Sequence, residues 1–182
     1  MAAKKKDDIV IYMTQRKWTV DNRLSRRRYL CRLARQSKQD PDIASKIGGM
    51  LIWNQVVEQM LKDIVDTSIH YIKARIWPVS VELQLDLDSA TFGKVIDYFR
   101  QYATLENDRE EILSHLKKFN SKRNQVVHDL FDIPDLKKLG SELDDYADLA
   151  EELLKLLEKY DEQVCDNFLE IEKRIDFRKF LD

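Results

Sequence analysis

The stretch LKKLGSELDDYADLAEELLKLLEKYDEQVCDNFLEI, residues 136–171, decides the fold class of this chain. Its apolar side chains recur every seven residues in two registers: Leu136, Leu143, Ala150, Leu157, Val164 and Ile171 form the first, and Leu139, Tyr146, Leu153 and Tyr160 form the second. A heptad repeat of this length predicts one long C-terminal helix over 136–176. The stripe fits either a coiled-coil seam between two protomers or a helix packed on its own bundle.

The composition of the whole chain is typical of an all-α protein. Of its 182 residues 43% are hydrophobic and 35% are charged, whereas only four are Gly and three are Pro. Because helix breakers are so few, we predict a bundle of long antiparallel helices. The length fits one domain over residues 16–182, preceded by an N-terminal tail or arm at 1–15.

One segment has a different period. Five apolar residues alternate with polar ones between Val79 and Leu87, which predicts a short extended or β segment near 79–87. A single strand needs a partner. We leave three arrangements open: pairing with residues 9–12, pairing across a dimer, and lying extended over the helices.

Several classes of protein are excluded by simple patterns. The chain has no run of 18 apolar residues, so no membrane-spanning helix is expected, and its lysine-rich start lacks the apolar region of a secretory signal. Cys31 and Cys165 are far apart and have no metal-ligand spacing. We therefore expect a reduced, cytoplasmic protein without metal or other cofactor.

The charge is distributed unevenly along the chain. Residues 1–50 hold 13 Lys and Arg against five Asp and Glu, whereas residues 129–182 hold eight against 17. The basic cluster could bind nucleic acid, or the first helix could pack near the acidic last helix of its own or a partner chain. For the first interpretation, the candidate RNA-binding residues are Arg26, Arg27, Arg28 and Lys122.

The segment FNSKRNQVVHDLF, residues 119–131, carries the candidate chemistry. Asn124 and His128 are four apart and share one helix face, whereas Arg123 lies about 140° around the helix from His128. We expect Ser121 to cap a helix here, so that Arg123 lies in a first turn whose free N–H groups suit a phosphate.

These residue types can support metal-independent cleavage of RNA. His128 can exchange a proton near neutral pH, so it could deprotonate a ribose 2′-OH or protonate the leaving 5′-oxygen. Arg123 presents a forked set of donors that could stabilise the charge on a phosphorane-like transition state. The need for a 2′-OH selects RNA over DNA.

The order Arg123-Asn124-x-x-x-His128 resembles the R-x4-6-H motif, commonly RNxxxH, of the HEPN superfamily. These are small all-α domains, and many are endoribonuclease toxins of toxin–antitoxin, abortive-infection and CRISPR (phage-defence) systems. The similarity in layout covers about residues 43–165. It implies that Arg123 and His128 are the catalytic pair, with Asn124 as the polar residue that follows the arginine.

The resemblance also implies partners and alternatives. In this family two protomers place both motifs in one cleft, so a homodimer is expected, with RNA as substrate and an antitoxin or other protein as a further partner. Glu58 occupies a place where some relatives carry an acidic residue. Leu130 stands where one subgroup has Tyr, which argues against that subgroup. The alternatives are a non-catalytic HEPN-like module that binds RNA or protein, and a structural protein that assembles through its heptads.

Overall fold

The computed structural model describes residues 25–76, 85–106, 108–129 and 136–174, and all regular secondary structure within them is helical. The all-α class is thereby confirmed. The helices are α1 over 25–39, α2 Ile43–Arg75, α3 Phe92–Tyr102, α4 Arg109–Asp129 and α5 Leu136–Arg174. The expected tail or arm at 1–15 and residues 175–176 of the predicted last helix lie outside the described residues.

The helix α5 is the centre of the bundle, and its contacts give the direction of its neighbours. α4 runs antiparallel to it, because Lys122 and His115 of α4 face Glu142 and Glu152, and Asp108, just before α4, faces Lys159. α1 is also antiparallel to α5, because Arg27, Arg35 and Lys38 face Glu158, Glu151 and Asp148.

The two longest helices, however, are parallel. Ile43 of α2 lies against Gly140, and Lys46 forms a salt bridge of 2.6 Å with Asp144 further along α5. The expectation of antiparallel long helices is therefore wrong for this pair. The reason is topological: α1 is antiparallel to α5, and the tight turn at residues 40–42 reverses the chain between α1 and α2, so α2 runs parallel to α5.

The heptad stripe of α5 packs against other helices of its own chain. Its members from Leu139 to Val164 are all 4% exposed or less and belong to one core with α2, α3 and α4. Over this stretch the alternative of a seam between protomers is therefore wrong. The two ends of the stripe are the exceptions: Leu136 is exposed, and Ile171 is only half-buried.

Shortening one buried side chain of the heptad stripe is expected to destabilise the folded monomer. Leu157 is fully buried, so Leu157→Ala removes core contacts and leaves a cavity, which lowers the free energy of unfolding by about 2–5 kcal/mol. Leu169→Ala is the matched control on the same helix, because Leu169 is 48% exposed, and it should change stability by less than about 0.5 kcal/mol. Urea unfolding measures both, and equal effects would contradict the packing.

The connection between α1 and α2 differs in detail from expectation. The sequence suggests Asp40 as the helix cap before Pro41, but the side chain of Asp42 accepts a hydrogen bond from the Ser45 N–H and caps α2. Asp40 instead accepts a hydrogen bond of 2.9 Å from the Asp42 N–H, which stabilises the turn. Nearly two turns into α2, Gly49 lies against Ser37 and the Ala34 carbonyl of α1.

Gly49 is required by the close approach of these two helices. A Cβ at this position would overlap Ser37 Oγ, whereas a Cβ at the adjacent Gly48 has nothing within 4 Å. We expect Gly49→Ala to destabilise the protein by about 1–3 kcal/mol through overpacking. Gly48→Ala should be neutral or stabilising by up to about 1 kcal/mol, because alanine favours the helix. Thermal unfolding of the pair measures the difference, and the same sign for both would refute the close approach.

The end of the predicted extended segment, residues 85–87, lies within the described residues. Residues 85–87 are neither helix nor strand, but the alternation persists, since Leu85 and Leu87 are half-buried against the core and Asp86 is exposed. Residues 79–84 and the suggested partner strand at 9–12 lie outside the described residues. α3 then begins at Phe92, and the side chain of Thr91 caps it by accepting a hydrogen bond from the Lys94 N–H.

Candidate functional site

The motif lies in the last part of an unbroken helix. α4 runs from Arg109 to Asp129 without an interruption at Ser121, so the expected cap at this residue is wrong. The N–H groups of residues 121–124 consequently belong to the interior of the helix, where they are used in its own hydrogen bonds. They are not available to a phosphate.

The continuous helix also fixes how the motif residues face. Val126 points into the core, Asn124 and His128 are exposed, and Arg123 is half-buried. The rotation of about 140° between Arg123 and His128 therefore holds in the folded chain. One protomer does not bring their functional groups face to face.

Arg123 lies over a set of buried aromatic rings. Its guanidinium carbon is 5.8 Å from the centroid of the Phe92 ring, a cation–π contact. Phe92 meets Phe119 edge-on at 5.8 Å, and Phe119 lies 5.0 Å from the Tyr146 ring. We call Phe92, Phe119 and Tyr146 the aromatic floor. Because all three rings are buried, this floor restricts where the arginine can lie.

The floor also places Arg123 beside another helix terminus. Phe92 is the first residue of α3, and the Thr91 side chain caps that helix. The N-terminal turn of a helix carries a positive potential. The start of α3 therefore produces a positive electrostatic potential near Arg123. A helix beginning at Ser121 was expected to supply such a potential.

The neighbouring cations differ in whether they have acidic partners. Lys122 forms a salt bridge with Glu142 of α5, so this candidate RNA-binding residue is engaged within the chain. Within the described residues, no carboxylate forms a salt bridge with Arg123. Among those residues its guanidinium contacts the face of the Phe92 ring, which attracts the cation but leaves its charge unneutralised. Such an arginine suits an anionic ligand.

Tyr146 connects the floor to α2. Its hydroxyl donates a hydrogen bond of 2.5 Å to Oδ1 of Asn54. Burial raises the pKa of Tyr146 far above its ordinary value, although the positive charge of Arg123 acts in the opposite direction. The hydroxyl therefore remains protonated and acts as a donor rather than as a base.

Asn54 was missed by the sequence analysis, which named Glu58 one helical turn further along α2. The side chain of Glu58 forms a salt bridge of 3.0 Å with Lys62. The signal for Asn54 was weak, because it is one of two adjacent amides, Asn54 and Gln55, within the otherwise apolar run from Leu51 to Val57. Only its contact with Tyr146 makes it notable.

The basic residues of α1 lie on two different faces of the helix. Arg27 forms a salt bridge of 3.8 Å with Glu158, and Arg35 forms one of 3.0 Å with Glu151. For these residues the packing of the basic first helix on the acidic last helix is confirmed. Arg26 and Arg28 are exposed, so they keep the surface position that binding to RNA requires.

These arginines are distant from the motif. Arg27 faces residue 158 of α5, whereas Lys122, next to the motif, faces residue 142. At 1.5 Å per residue the two positions are about 24 Å apart along α5. The basic surface of α1 and the surroundings of Arg123 are therefore separate regions, and an RNA that touched both would have to span this distance.

In the part of the chain that the structure describes, no three His, Cys, Asp or Glu side chains cluster as a metal site, and no helix has the length and apolar character to cross a membrane. The chain matches no protein-family model. No solved structure matches it significantly.

Proposed function

We propose that this protein is a metal-independent endoribonuclease of HEPN type, with Arg123 and His128 as its catalytic pair. One observation carries the proposal. Arg123 is held over a buried ring without an acidic partner among the described residues, and it precedes the exposed His128 by five positions. Asn124, exposed on the face of His128, is the adjacent polar residue that contacts the RNA backbone.

The reaction is a transesterification within the RNA strand. His128 removes the proton of a ribose 2′-OH, whose oxygen attacks the neighbouring phosphorus. The bond from phosphorus to the 5′-oxygen breaks, and that oxygen leaves with the proton that His128 took from the 2′-OH and now returns. Arg123 stabilises the additional negative charge of the transition state. The products are a 2′,3′-cyclic phosphate and a free 5′-OH.

The proposed active site needs two copies of the chain. The rotation between Arg123 and His128 prevents them from meeting in one protomer, but a twofold axis near the end of α4 would place the arginine of one against the histidine of the other. Val127 and Leu136, which are 46% and 65% exposed, lie at this same end of the bundle. Exposed large apolar side chains of this kind support an interface.

The proposal is tested by incubating the purified protein with a mixed RNA pool in EDTA. We expect cleavage that the chelator does not inhibit and fragments that end in a 2′,3′-cyclic phosphate.

The toxin or defence role, with an antitoxin as partner, belongs to the same proposal. It predicts arrest of growth when the protein is expressed in cells, and this arrest should be lost in His128→Ala.

A second function is favoured by the exposed face of α1. Arg26, Arg28 and Arg32 are exposed there, and the Arg32 guanidinium lies 5.5 Å from the centre of the exposed Tyr29 ring. Cations interleaved with an aromatic ring suit single-stranded nucleic acid. A non-catalytic module that binds RNA would bind it without cleavage, and the affinity would fall steeply with salt and in the Arg26→Ala and Arg28→Ala variants.

A further inference from the structure

The core fixes the position of the Phe92 ring. Phe92 is the first residue of α3, and its side chain is only 5% exposed. The ring of the fully buried Phe119 meets it edge-on, with the two centroids 5.8 Å apart and an angle of 69° between the rings. A ring packed in this way keeps its place, because a close-packed interior leaves no space for it to move aside.

The side chain of Arg123 depends on its surroundings for a defined position. A long arginine side chain has many rotamers, and ordering it costs entropy. Arg123 is half-buried, and its guanidinium carbon lies over the Phe92 ring at 5.8 Å from the centroid, which is within the range of cation–π attraction. The ring therefore favours the rotamers that keep the guanidinium at this place.

A ring face holds a cation differently from a carboxylate. The adjacent Lys122 is held by the carboxylate of Glu142, which opposes its positive charge. A carboxylate in the same place beside Arg123 would compete with a phosphate for the guanidinium donors. The Phe92 ring has no formal charge, so it fixes the arginine and leaves the full positive charge for an anionic ligand.

We propose that Phe92 is a positioning residue for Arg123, because its ring holds the guanidinium where it meets a phosphate of RNA without neutralising the charge. This inference rests on the proposed function, since it takes Arg123 as the group that binds the scissile phosphate. It adds a residue of α3 to a site whose other members lie on α4.

The test weakens the ring face and nearly keeps the shape of the side chain. Phe92 is replaced by a phenylalanine with three ring fluorines, which withdraw electrons from the face. Binding is measured with a mixed-sequence RNA that cannot be cleaved because every 2′-OH is O-methylated. The affinity should fall about threefold to tenfold, because Arg123 is then ordered only when RNA binds.

Two controls separate positioning from a purely structural role. The same replacement of Phe99, which is fully buried on α3 and packs on Tyr160 at 5.4 Å, should change the affinity by less than about twofold. In an Arg123→Ala background, fluorination of Phe92 should have no further effect, whereas damage to the fold would lower the affinity in both backgrounds. All proteins are compared at low salt, where the other basic residues still retain RNA.

The outcomes distinguish this role from the proposed enzyme. An unchanged affinity, or an equal fall with and without Arg123, in a protein that cleaves RNA refutes the positioning role and leaves the ribonuclease proposal intact. Tighter binding also refutes it, because the arginine would then have to leave the ring to reach RNA. A fall that requires Arg123, in a protein that never cleaves RNA, supports the positioning role and overturns the enzyme. Neither binding nor cleavage by the wild type would overturn both.

A second variant keeps the test decisive if the fluorinated protein does not fold. Phe92→Leu retains an apolar side chain but has no aromatic face, so the affinity should again fall at least about threefold, and only when Arg123 is present. Thermal unfolding of each variant shows whether the fold is intact.

Discussion

Arg123→Ala and His128→Ala should each reduce RNA cleavage in EDTA by at least about 100-fold, with the fold intact. The histidine variant loses the group that moves the proton, and the arginine variant loses the charge that stabilises the transition state. Both side chains lie at least partly at the surface, so neither change opens a core cavity. Cleavage of a labelled RNA pool, with thermal unfolding of each variant, measures the two effects separately.

Two further variants sharpen this experiment. His115→Ala removes the other histidine of α4, which faces Glu152 of α5, and should leave cleavage within a few-fold of the wild type. Arg123→Lys keeps the charge but removes the forked donors, so a large part of the loss should remain. Equal cleavage by wild type and both alanine variants would mean that a contaminating nuclease is responsible, and the catalytic assignment would be wrong.

A mixed dimer of the two inactive variants should recover activity. If the arginine of one protomer works with the histidine of the other, a dimer of Arg123→Ala with His128→Ala contains one complete site and one empty site. It should therefore show about half of the wild-type rate, against less than about 1% for either variant alone. Co-expression with two different tags and purification over both affinity columns isolates this dimer.

This result depends directly on the geometry of α4. Because the helix is continuous from Arg109 to Asp129, Arg123 and His128 point in directions about 140° apart. No recovery in the mixed dimer, while wild-type dimers cleave, would show that the site forms within one chain. That outcome would require α4 to bend or unwind at the motif when RNA binds.

Part of the candidate site was predictable because its signals are local. The spacing of Arg123, Asn124 and His128 on a helix follows from 3.6 residues per turn, and the exposure of Asn124 and His128 beside the buried Val126 agrees with it. The cap expected at Ser121 failed because a serine that can cap the start of a helix is also tolerated within a longer one. Packing of Phe119 and Val126 into the core favours the continuous helix.

The rest of the site depends on residues that are distant in sequence. The pairing of Asn54 with Tyr146 joins positions 92 residues apart, and the floor beneath Arg123 brings together α3, α4 and α5. Neither Asn54 nor Phe92 stands in a recognisable motif. The role of Arg27 was likewise undecided until its salt bridge with Glu158 showed that it faces α5 rather than solvent.

The sequence by itself determined that this protein is all-α, where its long helices lie, and which residues form the motif, since helical periodicity and scarcity of Gly and Pro act over a few turns of the chain. Only the tertiary structure decided that α2 and α5 are parallel, that the heptad stripe is buried within one chain, and that Arg123 rests on Phe92. These outcomes depend on which apolar faces bury one another. That choice minimises exposed surface over the whole chain, and no local pattern encodes it.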